Sequence, residues 1–145
     1  MANRNEAARP PRLLHPIFAG PAAAFLMAAL FTDYMYYSTA LMQWANFSAW
    51  LIVGGLVVAL LAAIFLVIDL LLGRTGPLLR LEFAGLVVAA VLSIFNAFVH
   101  SRDAWTSVVP TGITLSAIVA IILFALSFRG WSVTAERVRR QGDRP

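Results

Sequence analysis

Apolar residues in this chain form four long blocks, which are separated by short polar stretches. The blocks cover residues 17–37, 47–72, 81–100 and 108–128. A bilayer core about 30 Å thick is crossed by roughly 20 apolar residues of α-helix, because each residue rises 1.5 Å. Each block reaches this length. The pattern therefore predicts an all-α integral membrane protein, a four-transmembrane-helix bundle.

The segments outside the blocks set the domain boundaries. Residues 1–14 are polar and contain proline, so they are predicted to be a flexible cytoplasmic leader. Residues 15–131 form the membrane domain, in which His15-Pro16 is expected to start the first helix. Residues 132–145 are rich in arginine and are predicted to be a basic cytoplasmic tail on the anionic leaflet. Hydrophobic residues make up 61% of the 145, which agrees with a membrane domain that fills most of the chain.

Charge predicts the orientation of this domain. The 11 basic residues are all arginines, and Arg102 is the only one in a loop on the side opposite the termini. By the positive-inside rule, both termini are therefore cytoplasmic. The arginines flank membrane spans rather than forming a basic surface on a soluble fold, so the expected partner is the lipid bilayer and not a nucleic acid. The chain has no cysteine, which excludes disulfides and thiolate metal sites. No metal site is predicted.

Polar residues within the blocks fall into two groups at different depths. His15 and Asp69 belong near the cytoplasmic boundary, with Glu82 close by. Asp33 follows His15 by 18 residues, or about 27 Å of helix, so it belongs near the outer face. Asn96 and His100 share one face of the third span at that outer depth, since they are four residues apart.

Each group has a structural and a functional interpretation. Buried polar groups in membrane bundles commonly join helices, and this is the expected role of His15, Asp69, Glu82 and Arg102. The outer group is a weak candidate for a cofactor site, in which Asp33, Asn96 and His100 converge and Trp105 covers them from the loop. Haem b is not expected, because two axial ligands must share one depth and the two histidines are placed at opposite faces. No cofactor is predicted; a bound lipid, quinone or pigment remains open.

Several stretches together resemble the domain-of-unknown-function family 2231. They are "HPIFAGPAAAFLMAALFTDYMYY", "FSAWLIVGGLVVALLAAIFLVIDLL", "LSIFNAFVHSRDAW" and "FRGWSVTAERVRRQG", which cover nearly the whole chain. The resemblance implies a small four-span protein of the bacterial inner membrane. It also implies a genomic setting near periplasmic dehydrogenases and cytochromes, which favours a respiratory or photosynthetic electron-transfer complex. The resemblance implies no activity.

Three classes of function remain. The first is a non-catalytic subunit that anchors or stabilises a larger membrane complex, with other membrane subunits as partners. The second is a membrane protein that binds quinone or another redox cofactor, and the third is a small transporter or channel module that acts as an oligomer. The sequence contains no nucleophile–base pair and no metal-ligand cluster, so an enzyme is not expected.

Overall fold

A computed structural model describes residues 13–73, 77–102 and 108–142, and it describes side chains for 13–73, 83–102 and 108–128. This part of the chain is all-helical. The helices are α1 (Pro16–Thr39), α2 (Met42–Leu71), α3 (Pro77–His100) and α4 (Ile113–Gly142). An irregular helical turn, Val108–Gly112, precedes α4, and Val109 within it has non-helical backbone angles.

The helices confirm the four-span architecture. The segments long and apolar enough to cross a membrane are Pro16–Thr39, Met42–Leu71, Phe83–His100 and Val108–Phe128. Pro16 occupies the start of α1, where its missing N–H has no partner to lose. The backbone of α4 continues to Gly142, so the segment predicted as a separate tail begins as part of this helix.

The connection between α1 and α2 is much shorter than the sequence suggested. The polar stretch between the first two blocks looked like a loop, but only Ala40 and Leu41 lie between the two helices. Ala40 adopts the left-handed conformation (φ 56°), and its N–H bonds to the carbonyl of Tyr36. The result is a tight α1–α2 hairpin, in which residues equally distant from the turn lie at the same depth.

The hairpin packs closely at its centre. A Cβ atom added to Gly55 would come within 2.9 Å of the Leu26 side chain, so only glycine fits there without movement. Phe18 and Phe65 stack with their ring centres 4.9 Å apart towards the His15 end. All four helices contribute to the apolar core, which contains Leu26, Ala29, Ile52, Ala89, Val119 and Leu123.

The small residues of α1 that are buried do not lie in the four-residue row formed by Gly20 and Ala24. Gly20 and Ala24 are exposed, and a Cβ atom at Gly20 would meet nothing within 4 Å. Ala22 and Ala29 are buried instead. In α3, by contrast, Ala89 and Ser93 are four residues apart and both are buried. Apolar composition alone does not separate a lipid-facing surface from a core-facing one.

Candidate functional site

Asp33 of α1 lies at the centre of a polar cluster near the end of the bundle away from His15. Its carboxylate is fully buried. Oδ1 accepts a very short hydrogen bond from Ser48 Oγ of α2 and lies 2.8 Å from His100 Nε2 of α3. Oδ2 accepts a hydrogen bond of 2.5 Å from Ser116 Oγ of α4. One side chain of α1 is thus bonded to each of the other three helices, which fixes their relative heights.

Both ring nitrogens of His100 have hydrogen-bond partners within this cluster. Its Nδ1 lies 3.0 Å from the backbone carbonyl oxygen of Asn96, which can only accept, so Nδ1 carries a hydrogen. Its Nε2 faces Asp33 Oδ1, with Ser48 Oγ at 3.3 Å. The contact between Nε2 and Oδ1 requires one proton, which either the imidazole or the carboxylate supplies. The two side chains therefore form a hydrogen bond in a site shielded from solvent.

Asn96 extends the cluster from α3 to α4. Its Nδ2 donates a hydrogen bond of 2.7 Å to Ser116 Oγ, which in turn donates to Asp33. The Asn96 Oδ1 atom is buried and has no hydrogen-bond partner among the described residues. The hydrogen bonds run in one direction from Asn96 through Ser116 to Asp33, because the Ser116 hydroxyl accepts one bond and donates the next.

The structure adds two residues that the sequence analysis did not single out, Ser48 and Ser116. Ser48 lies near the start of the second apolar block, in α2, and is fully buried. A signal for it existed: Asp33 and Ser48 are equally distant from the α1–α2 turn, and a hairpin brings such positions to one depth. Ser116 had no comparable signal, because a single serine in an apolar helix usually bonds to its own backbone.

The second polar cluster joins Asp69 of α2 to the start of α1. Asp69 Oδ2 accepts hydrogen bonds from the backbone N–H groups of Leu14 (2.9 Å) and His15 (3.2 Å). It also lies 2.9 Å from Nδ1 of His15, whose hydrogen it accepts. His15 itself makes no side-chain capping bond. Asp69 thus caps α1 from the neighbouring helix, where the unpaired N–H groups and the helix dipole favour a negative charge.

Of the remaining sequence candidates, Arg102 has a described side chain and joins neither cluster. It is exposed after the end of α3, and its backbone N–H bonds to the carbonyl of Val99. Glu82 lies on α3, but its side chain is outside the described part of the chain. Trp105 also lies outside the described residues, so its predicted position over the outer cluster stays a prediction.

Chemically, each cluster contains one histidine–aspartate contact. Among the residues with described side chains, no three histidine or acidic side chains come together to hold a metal ion. The two histidines lie on different clusters at opposite ends of α1, so they do not face one iron. The apolar core, including Leu26, Ile52 and Leu123, separates the clusters.

Comparison with known sequences gives a family and no closer relative. Neither a curated protein nor a solved structure matches the chain. A family profile described as "Predicted membrane protein (DUF2231)" matches residues 11–139. That range includes all four helices up to the last turn of α4, and with them both histidine–aspartate pairs. The chain therefore belongs to the predicted membrane protein family DUF2231.

Proposed function

We propose that this protein is a non-catalytic integral membrane subunit whose rigid four-helix bundle anchors or stabilises a larger membrane complex. The observation that carries the proposal is the Asp33 cluster, in which one carboxylate is bonded to side chains of the other three helices. Each interhelical hydrogen bond contributes only about 0.6 kcal/mol in membranes, but three on one residue define a single arrangement of helices. Such a bundle can serve as a fixed platform.

The hydrogen bonds made by the buried polar side chains support a structural platform over an enzyme. Ser48 and Ser116 have hydroxyl groups that could be nucleophiles, but both donate hydrogen bonds to Asp33. His100 uses both ring nitrogens inside the cluster. A general base needs a free nitrogen within reach of its substrate. In this arrangement the side chains that could do chemistry hold the helices together instead.

The two alternatives have less support. The carbonyl oxygens of a quinone at the outer cluster would need a hydrogen-bond donor, whereas Asn96 Oδ1, the atom of this cluster without a partner among the described residues, is an acceptor. A transporter would need a polar route, but described core residues between the clusters, such as Ala29 and Ile52, are apolar. An oligomer could supply a route between copies.

We propose a respiratory or photosynthetic electron-transfer assembly of the bacterial inner membrane as the complex to test first. The helix faces that point away from the core offer large side chains for such contacts, since Trp50 is 76% exposed and Phe98 is 66% exposed. They lie on α2 and α3. In a bundle without partners both side chains face lipid, whereas in a complex at least one of them faces another subunit.

The experiment is photo-cross-linking in native membranes with a photoreactive amino acid at Trp50 or Phe98. Illumination should give one discrete product with a different protein at one of these positions. A chain without the photoreactive residue is the control for background. The same product should disappear when Asp33 is replaced by leucine, because the platform is lost. Labelling of lipid alone at both positions, or a product with a second copy only, would contradict the proposal.

The orientation of the bundle is part of the proposal. We infer from the arginine distribution that both termini are cytoplasmic, so that the Asp33 cluster faces the periplasmic side. Reporter fusions that are active only in the periplasm should be inactive after Pro145 and active after Gln43, which lies at the start of α2. Activity after Pro145 would reverse the orientation without changing the helix contacts.

A further inference from the structure

A cavity lies between α1, α2 and α3 at the His15 end of the bundle, and Leu123 of α4 also lines it. Its volume is about 100 Å³. It is lined largely by alanines, which leave space where larger side chains would close the bundle, and we call it the alanine crevice; its lining includes Ala19, Ala23, Ala59, Ala63 and Ala90. Phe83 and Val87 also line it and are 41% and 43% exposed, so the crevice opens towards the surroundings of the bundle.

The length of the crevice along α1 matches the depth of one leaflet. Along α1 its lining runs from His15 to Leu26, about 16 Å of helix. This equals the hydrocarbon depth of one leaflet, which is half of about 30 Å. Its volume is below that of an engineered cavity of about 150 Å³ that binds benzene. A space of this volume encloses only part of a hydrocarbon chain, and the rest of the chain would lie along the open side beside Phe83 and Val87.

His15 provides a polar group at the end of the crevice. The residue is only 6% exposed, and its ring lines the cavity. Nδ1 gives its hydrogen to Asp69, so in the neutral ring Nε2 carries a lone pair. Nε2 forms no hydrogen bond with any residue that the structure describes. This nitrogen is not among the described buried atoms that lack a partner, so it is accessible, and a polar group of a ligand can form a hydrogen bond with it.

We propose that the alanine crevice binds the hydrocarbon chain of a lipid from the adjacent leaflet, and that a hydroxyl or carboxyl group of its head forms a hydrogen bond with His15 Nε2. Asp69 is a positioning residue, since it orients the ring and fixes which nitrogen is free. The hydrocarbon chain gives the side chains that line the crevice van der Waals contacts on a side where they otherwise have none. Because lipid tails are as apolar as the crevice, shape and the hydrogen bond to His15 provide the selectivity.

The test uses the full-length protein in phosphatidylcholine vesicles and a hexadecanoic acid with a diazirine in the middle of its chain. After illumination, the label should concentrate on the segments of α1, α2 and α3 that line the crevice. Ala59→Leu fills the crevice and should lower labelling there by about tenfold. Ala24→Leu is the matched control, because Ala24 is an exposed alanine of α1 outside the lining; it should leave labelling unchanged.

A second variant tests the head contact independently of the crevice. In His15→Asn the amide nitrogen can replace Nδ1 as the donor to Asp69, while the Nε2 position is lost. Labelling by the acid should fall about threefold, the value expected for one hydrogen bond. Unlabelled methyl hexadecanoate, which has no hydroxyl, should compete with the probe less well than unlabelled hexadecanoic acid.

Competition also distinguishes the source of the ligand. Displacement by hexadecanoic acid alone identifies a free fatty acid, and displacement by phosphatidylglycerol identifies a membrane glycerolipid with a hydroxyl-bearing head; either result supports the site. Label spread over the exposed faces of all four helices, unchanged in Ala59→Leu, would overturn it. Equal competition by the methyl ester and the acid would overturn the role of His15.

Discussion

Two histidine–aspartate pairs lie at opposite ends of the bundle, and they differ in what surrounds each ring. In the Asp33–His100 pair both ring nitrogens are bonded within the chain, and the carboxylate is bonded to three other helices. In the His15–Asp69 pair the carboxylate caps one helix, and His15 Nε2 has no partner among the described residues. The same two residue types thus join helices at one end of the bundle, whereas at the other end they leave one ring nitrogen free beside a cavity.

This difference shows why a histidine–aspartate contact does not by itself indicate function. Distances are nearly equal in the two pairs, 2.8 Å and 2.9 Å. The pairs differ in the second nitrogen of each ring. A ring with both nitrogens hydrogen-bonded within the protein can only stabilise the fold, whereas a ring with one free nitrogen can also bind a ligand. We therefore expect large stability losses from changes at Asp33 and smaller ones at the His15 end.

The largest effect is expected for Asp33→Leu. The change removes three interhelical hydrogen bonds and leaves His100, Ser48 and Ser116 buried without their common acceptor. We expect the free energy of unfolding in mixed detergent micelles to fall by about 3 kcal/mol. Asp33→Asn keeps the size and one acceptor oxygen, so its loss should be about half. Unchanged stability in Asp33→Leu would show that this cluster is not what holds the helices in place.

A smaller loss is expected for Asp69→Leu. The substitution removes an acceptor that caps the start of α1, and loss of a helix cap costs about 0.5–2 kcal/mol. The same unfolding assay would measure it, and Asp69→Asn should recover part of the loss. If Asp69→Leu retained full stability while the protein no longer assembled with its partners, Asp69 would have a role beyond the fold. A loss equal to that of Asp33→Leu would remove the contrast between the two ends.

The close packing of α1 against α2 between the two clusters can be tested at Gly54 and Gly55 of α2. A Cβ atom at Gly55 would lie 2.9 Å from Leu26 and 3.2 Å from Cβ of Phe25, whereas at Gly54 its nearest neighbour is 3.8 Å away. Gly54→Ala should be neutral or stabilise the protein by up to about 1 kcal/mol through helix propensity. In Gly55→Ala, overpacking of about 1–3 kcal/mol opposes that gain, so a net loss of about 1 kcal/mol is expected. Thermal unfolding of both variants in one detergent measures the difference, and equal melting temperatures would contradict it.

Depth along the membrane could be predicted from the sequence, but orientation around each helix could not. Counting residues placed His15 with Asp69 and Asp33 with His100, because the rise per residue is constant. The serines were missed because their role depends on helix rotation: Ser93 Oγ bonds to its own helix at Ala89, while Ser116 Oγ reaches Asp33 on another helix. Hydropathy does not reveal rotation when lipid and core are both apolar. The alanine crevice was missed for the same reason, since the sequence shows its alanines but not the faces on which they lie.

The smallest effect separates the two rings most directly. Replacing each histidine by asparagine keeps an amide nitrogen near the position of Nδ1 and removes the Nε2 end. In His100→Asn the contact with Asp33 is lost, so we expect the free energy of unfolding to fall by about 1 kcal/mol. In His15→Asn the amide can still donate to Asp69, and Nε2 had no bond within the described chain, so the change should stay within about 0.5 kcal/mol.

Both variants would be compared with the unaltered protein in the same lipid-free detergent, because a bound lipid would add its own stabilisation at the His15 end. Adding hexadecanoic acid should then raise the melting temperature of the unaltered protein and of His100→Asn more than that of His15→Asn. Equal stability losses in the two variants, with equal responses to the acid, would mean that both rings do no more than join helices. The open nitrogen of His15 would then be a tolerated defect at a helix end, and the contrast between the pairs would be one of geometry alone.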